Sequence, residues 1–134
     1  MKILKYTPML ALLTACALDP VATADYSGLG DSEVAKTLRY SAFTSSVGID
    51  YAVGQLVNKP DILAMPDPRG KLEQLGFTYV PTPPADCTYD GSAKTTIMSP
   101  DASRTERYKL TIHIAAKIRR NAIEIASTTK RENY

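Results

Sequence analysis

Two cysteines, Cys16 and Cys87, and a single histidine, His113, are the side chains best suited to nucleophilic or metal chemistry in this 134-residue chain. A thiol nucleophile needs a base within hydrogen-bond reach and a third group to orient that base. Cys87 with His113 is the pairing the composition offers, but nothing in the spacing brings them together. His113 has no Cys, Asp or Glu neighbour at ligand spacing, whereas a zinc site takes several such ligands. The phosphate-cradling GxxxxGK[ST], dinucleotide-binding GxGxxG and helical HExxH patterns are absent from the sequence. Carboxylates are scattered, with no acid and base legible as a pair. The chain is therefore read as non-enzymatic, with no catalytic, metal or cofactor-binding residue assigned.

Cys16 stands in a different setting. Met1-Lys2-Ile3-Leu4-Lys5 gives a positive start, and Tyr6 to Leu13 gives a short apolar run. Charge followed by an apolar stretch is the order of a secretory signal. The run is well below the roughly 20 residues of a spanning helix, and Pro8 interrupts it. It ends in Leu13-Thr14-Ala15-Cys16, which resembles the lipobox of bacterial lipoproteins: a branched apolar residue, two small residues, then the cysteine that receives lipid. The resemblance covers the leader alone. It implies a signal peptide over 1–15, lipidation of Cys16 and a stable membrane anchor, because several acyl chains hold where one binds only marginally. By similarity to lipoprotein sorting, Ala17 in place of Asp favours the outer membrane, with the domain facing the periplasm. Two other readings stand beside it. Ala15-Cys16-Ala17 and Ala22-Thr23-Ala24 have the small-x-small form that ordinary signal peptidase accepts, which would release a soluble product. Residues 1–18 could also be a buried helix of a cytosolic protein.

The formal charge of +2 belongs to the leader: without Lys2 and Lys5, basic and acidic side chains balance at 14 each. A neutral mature chain offers no global attraction for nucleic acid. Lipidation of Cys16 would leave Cys87 with no partner for an internal disulfide, and a free cysteine ordinarily behaves as a small buried hydrophobe. Arg104, Arg107, Arg119, Arg120, Lys130 and Arg131 make the C-terminal third locally basic, as solvated strand ends or as a contact for an acidic partner.

The elements that would position these residues follow from periodicity. Residues 16–30 carry the lipidated cysteine and a Gly, Ala, Ser and Asp-rich tether spanning roughly 20 Å, and 31–134 form a single small domain. A long helix is expected from Asp31, its N-cap, with a buried stripe of Val34, Leu38, Ala42, Ser45, Ile49, Val53 and Leu56. Pro60 ends it. A short second helix runs from Pro68 to Leu75, framed by Asp67 and Gly76. Strands follow at Phe77–Val80, at Asp86–Asp90 before an Asp90-Gly91 turn, and at Ala93–Met98. Pro81 to Pro84 is a stiff connector. Between Leu110 and Ile118 apolar residues alternate with polar ones, as in a half-buried strand. A turn at Arg120-Asn121, with Asn121 left-handed, sets Ile118 opposite Ile123, Ala116 opposite Ile125, Lys117 opposite Glu124 and Lys109 opposite Glu132.

The expected fold is α+β: a long N-terminal helix and a short second helix packed on a small, mainly antiparallel sheet with a C-terminal β-hairpin. The expected function is that of a lipid-anchored accessory or structural subunit of a bacterial envelope assembly, such as a secretion, pilus or surface complex. Its partners would be the membrane, through Cys16, and an envelope protein or a second copy of the chain. The alternative is a periplasmic binding lipoprotein for a small apolar or glycan ligand, with a pocket between the long helix and the sheet.

Overall fold

The computed structural model describes residues 21–41 and 45–134. The leader and Cys16 lie outside the described residues. Strands β4 (Thr105–Ile118) and β5 (Ile123–Asn133) form the C-terminal hairpin. Its register sets Ile118 opposite Ile123, Ala116 opposite Ile125, Lys117 opposite Glu124 and Lys109 opposite Glu132, as the alternation requires. The turn keeps the expected position at Arg120-Asn121 and differs in the conformation of Asn121. Arg119 N–H donates to the Ala122 carbonyl at 2.8 Å, and among the described residues Ala102, not Asn121, is the non-glycine with positive φ.

Strand β3 (Cys87–Met98) pairs antiparallel with β4 along its whole length, so no turn forms at Asp90-Gly91. The glycine has another cause. Tyr89 lays its ring across it, and a Cβ at Gly91 would lie 2.5 Å from the Tyr89 hydroxyl oxygen. That hydroxyl donates to the Leu29 carbonyl at 2.6 Å. Gly91 is the space the tyrosine needs, a use of strand glycine for close approach rather than for a turn.

Two short strands share the other edge of β3. Strand β1 (Val21–Asp25) pairs with Lys94–Met98, and β2 (Thr78–Tyr79) pairs with Thr88 and Cys87. The sheet order is β1-β3-β4-β5 with β2 beside β3. Residues 21–30, expected as tether, thus belong to the domain. A 3-10 turn, Ser27–Leu29, buries Leu29, and a Cβ at Gly28 would come within 2.5 Å of the Ser92 carbonyl oxygen.

The expected long N-terminal helix is not found, and this overturns the predicted fold class. The described residues form chiefly a five-stranded antiparallel sheet, with 40% of them in strands and 31% helical, and four short helices among them pack on it. Where one helix was expected there are two, α1 (Glu33–Ser41) and α2 (Ser46–Val57). Ser45, assigned to the buried stripe, is instead extended (φ −171°, ψ 161°), and its Oγ accepts from Gly48 N–H at 3.1 Å as the N-cap of α2. Serine favours this role because its hydroxyl competes for backbone groups inside a helix and completes them at its start. The first N-cap is likewise Ser32, whose Oγ accepts from Ala35 N–H at 3.2 Å, rather than Asp31.

Pro60 ends one helix and opens the next, α3 (Pro60–Leu63), where its fixed φ suits the first turn. Helix α4 (Arg69–Leu75) starts one residue later than expected, with Pro68 rather than Asp67 as its N-cap; Asp67 Oδ1 still accepts from Arg69 N–H at 3.2 Å, and Gly76 lies at φ 125° beyond its end. Asn58, after α2, locks that helix to the sheet. Its Oδ1 accepts from Ile123 N–H at 2.8 Å and its Nδ2 donates to the Ile123 carbonyl at 3.0 Å.

Val34, Leu38, Ile49, Val53, Val57, Ile62 and Leu72 from the helices meet Cys87, Tyr89, Ile112, Ile114, Ala116 and Ile123 on one face of the sheet. Burial of these side chains, each worth roughly 1.5–3 kcal/mol for a large aliphatic, places the core under the helices. Leu110, Ile118 and Ile125 are only partly buried at its margin.

Candidate functional site

The sheet is longer than the helical layer. The alternation that faces Ile114 and Ile112 toward the core continues along β4 to Leu110 and Tyr108, along β3 to Ala93 and Thr95, and along β5 to Thr129 and Arg131. No helix residue lines the surface these form. It is a groove of about 540 Å³, with a floor of Ala24, Ala93 and Thr95 and walls of Tyr26, Leu110 and Tyr108. The Arg131 guanidinium lies over the Tyr108 ring, 3.8 Å from its centroid. Stacking holds the cation flat and leaves its N–H edge available for acceptors. A small-residue floor with aromatic walls and one positioned cation suits an occupant with an apolar body and an acceptor or anionic group. The pocket expected between the long helix and the sheet is replaced there by packed core, and the concavity lies beyond the helices.

Cys87 and His113 fall on opposite faces. Cys87 is buried on the core side opposite Ala116. Burial, then the carboxylates of Asp86 and Glu73, push its thiol above the ordinary range and hold it protonated. His113 points outward on the uncovered face. Hydrolysis by this pair has no geometric basis. The register does give His113 a partner that sequence spacing hid: Asp90 is directly opposite, with Oδ1 2.6 Å from His113 Nδ1. Both are exposed, and among the described residues no hydroxyl or thiol lies within hydrogen-bond reach of the imidazole. The arrangement is a cross-strand hydrogen-bonded pair on open surface. No group of three or more His, Cys, Asp or Glu side chains converges among the described residues.

The expected basic cluster divides. Arg119 and Arg120 sit at the hairpin turn, whereas Arg104 and Arg107 lie at the opposite end of β4. Glu124, in register with Lys117, takes its ion pair from Arg119 at 3.1 Å, and Glu132, in register with Lys109, takes its own from Lys130 at 2.8 Å. The groove residues escaped sequence reasoning because alanine, threonine and a lone arginine carry no chemical signature. One signal was present: the inward-facing positions of β5 continue past the last apolar residue into Thr129 and Arg131, which marks a sheet extending beyond its core.

Among the described residues no helix is long and apolar enough to cross a membrane. No protein-family model, no curated protein and no solved structure matches the chain.

Proposed function

We propose that the protein is a lipid-anchored, non-enzymatic accessory subunit of a bacterial envelope assembly, held at the outer membrane through Cys16 and facing the periplasm. The observation that carries the reading is the uncovered half of the sheet's inner face, a concave surface continuous with the core that no element of the chain's described residues fills. Val47 and Tyr51, four residues apart on α2, add exposed apolar area, and Tyr40 adds more on α1. The strand β1 supports processing upstream of Val21. Cleavage after Ala24 would remove most of β1 and strip the pairing from Lys94–Met98, whereas a mature start at Cys16 leaves the sheet whole.

Affinity purification of the tagged, lipidated protein from membranes tests this, beside a Thr129→Trp variant that fills the groove from an exposed position. The wild type should bring down the same envelope protein, or a second copy of itself, in different detergents. The variant should lose that partner while its unfolding free energy stays within about 0.5 kcal/mol, the usual range for surface changes. Recovery of the wild type as a lone monomer throughout would overturn the subunit role.

Tyr108 and Arg131 favour a second reading, a binding lipoprotein for a glycan or a small apolar acid, with the groove rather than a helix-sheet pocket as its site. A ligand that raises the Tm of the wild type but not of Thr129→Trp would select it.

A further inference from the structure

Resting on the lipid-anchored reading, we propose that the Val21 end of the sheet docks directly on the bilayer surface, through an apolar and basic footprint that fits anionic phospholipid headgroups. The first support is the length of chain outside the structure. Five residue steps separate Cys16 from Val21, and an extended chain covers at most 3.3–3.6 Å per step, so Val21 lies within about 18 Å of the lipidated sulfur's residue. Strand β4, 14 residues long, runs away from that point for roughly 45 Å at the usual rise per residue. The anchor therefore distinguishes the two ends of the sheet.

The tethered end is the one built for an interface. Val21 is opposite Met98, which is opposite Thr105, in the terminal row of the sheet. Val21, Met98 and Tyr134 are exposed by 59%, 41% and 60%, and all three lie toward this end. Tyr134 is fixed there by its N–H donating to the Arg107 carbonyl at 3.2 Å, with Lys94 Nζ 5.7 Å from its ring centroid. An aromatic ring carrying a hydroxyl suits the headgroup layer, where one side is apolar and the other wet. Arg104 adjoins this row and Arg107 lies two residues in, with Lys94 and Lys109 four residues in.

Of the acids nearby, Glu132 is matched by a cation, whereas Asp101 and Asp25 are held in their charged form by local hydrogen bonds. Asp101 accepts from Ser103 Oγ, from Ser103 N–H and from Ser99 Oγ, which together hold its carboxyl down at about 2. Glu132 is paired with Lys130, and Asp25 accepts from Ser27 N–H. Glu106, opposite Ile97, alternates with Thr105 and Arg107 and so shares a face of β4 with Tyr108. Arg104, Arg107, Lys94 and Lys109 exceed the carboxylates of Asp101, Asp25 and Glu106 by one charge, and that excess faces the negative potential of an anionic leaflet, which decays over a Debye length of about 8 Å at physiological ionic strength. Acyl chains and a basic patch are the two signals that together fix a peripheral protein to a membrane.

The test uses the mature lipidated protein in vesicles with brominated acyl chains, labelled with a fluorophore at Thr105→Cys or, as the far-end reference, at Asn121→Cys. With phosphatidylglycerol in a phosphatidylcholine vesicle, the Thr105 label should be quenched and the Asn121 label should not. Arg104→Glu with Arg107→Glu should reduce that quenching roughly fivefold or more, and so should phosphatidylcholine alone. Equal quenching of the two labels, or quenching indifferent to the charge reversals, overturns the docking while the protein still floats with the vesicles. Loss of flotation, with an N-terminus of unmodified mass, overturns the lipid anchor, and the docking falls with it.

Discussion

One face of the sheet carries two surfaces that differ only in what lies over them. Under α1, α2 and α4, the residues of β3, β4 and β5 are closed off from water, and Ile112 and Ile114 have no exposure. A single step further along β4, Leu110 is half-buried and borders the groove. Strand pairing and register are continuous across the boundary. Regular backbone geometry thus neither requires nor guarantees a core. The helices decide which half is stabilising and which half is left for contact with something else.

The sharpest way to break that contrast is to truncate both sides of it. Ile112→Ala should cost about 2–5 kcal/mol, the range for emptying a filled core site. Leu110→Ala, two residues away on the same face, should cost about 1 kcal/mol or less, since most of the lost transfer energy depends on exclusion from water. Urea unfolding of the two variants measures the difference, and equal losses would mean the groove is as structural as the core.

A smaller effect tests how the covered half is fastened. Asn58→Ala leaves the Ile123 N–H and carbonyl without the amide that bridges them to α2, and should cost about 1–3 kcal/mol. Exchange of the Ile123 amide hydrogen should accelerate, while amides of β1 are unaffected. The smallest change is Tyr89→Phe, which keeps the ring over Gly91 but removes the bond to Leu29, for about 0.5–1.5 kcal/mol. Burial, with Asp90 nearby, pushes the Tyr89 hydroxyl from the ordinary 10 up to about 12. Because the folded state holds the proton more tightly, its contribution is complete below pH 10 and is lost as pH rises toward 12. The difference in stability between wild type and Tyr89→Phe should therefore shrink across that window.

The hairpin and α4 were legible because their signals are local and redundant: alternation in Leu110–Ile118, complementary pairs on both faces, and Asp67, Pro68 and Gly76 in order. The elements that were misread turn on residues with two uses. Ser45 fits a helical stripe by spacing, yet its hydroxyl is worth more as a cap. Asp90-Gly91 has the form of a turn, but the glycine is spent on the Tyr89 ring. Strand β1 is exposed along all five residues and so leaves no alternation to find. The groove was illegible for a related reason, since its small alanines and threonines and the lone Arg131 break the apolar alternation that Leu110 and Tyr108 continue. Asp90 beside His113 required the β3–β4 register, which no local pattern supplies.

The pairing of β1 with β3 has a mechanical meaning on the lipid-anchored reading. A pull on the anchor enters the domain at Val21, which stands at the very end of the sheet, and is directed along the axis of β1. The hydrogen bonds to Lys94–Met98 are then loaded together in shear instead of being opened one after another. A strand of five small, exposed residues adds little to the core, but it is the segment through which tension from the membrane would reach the rest of the fold.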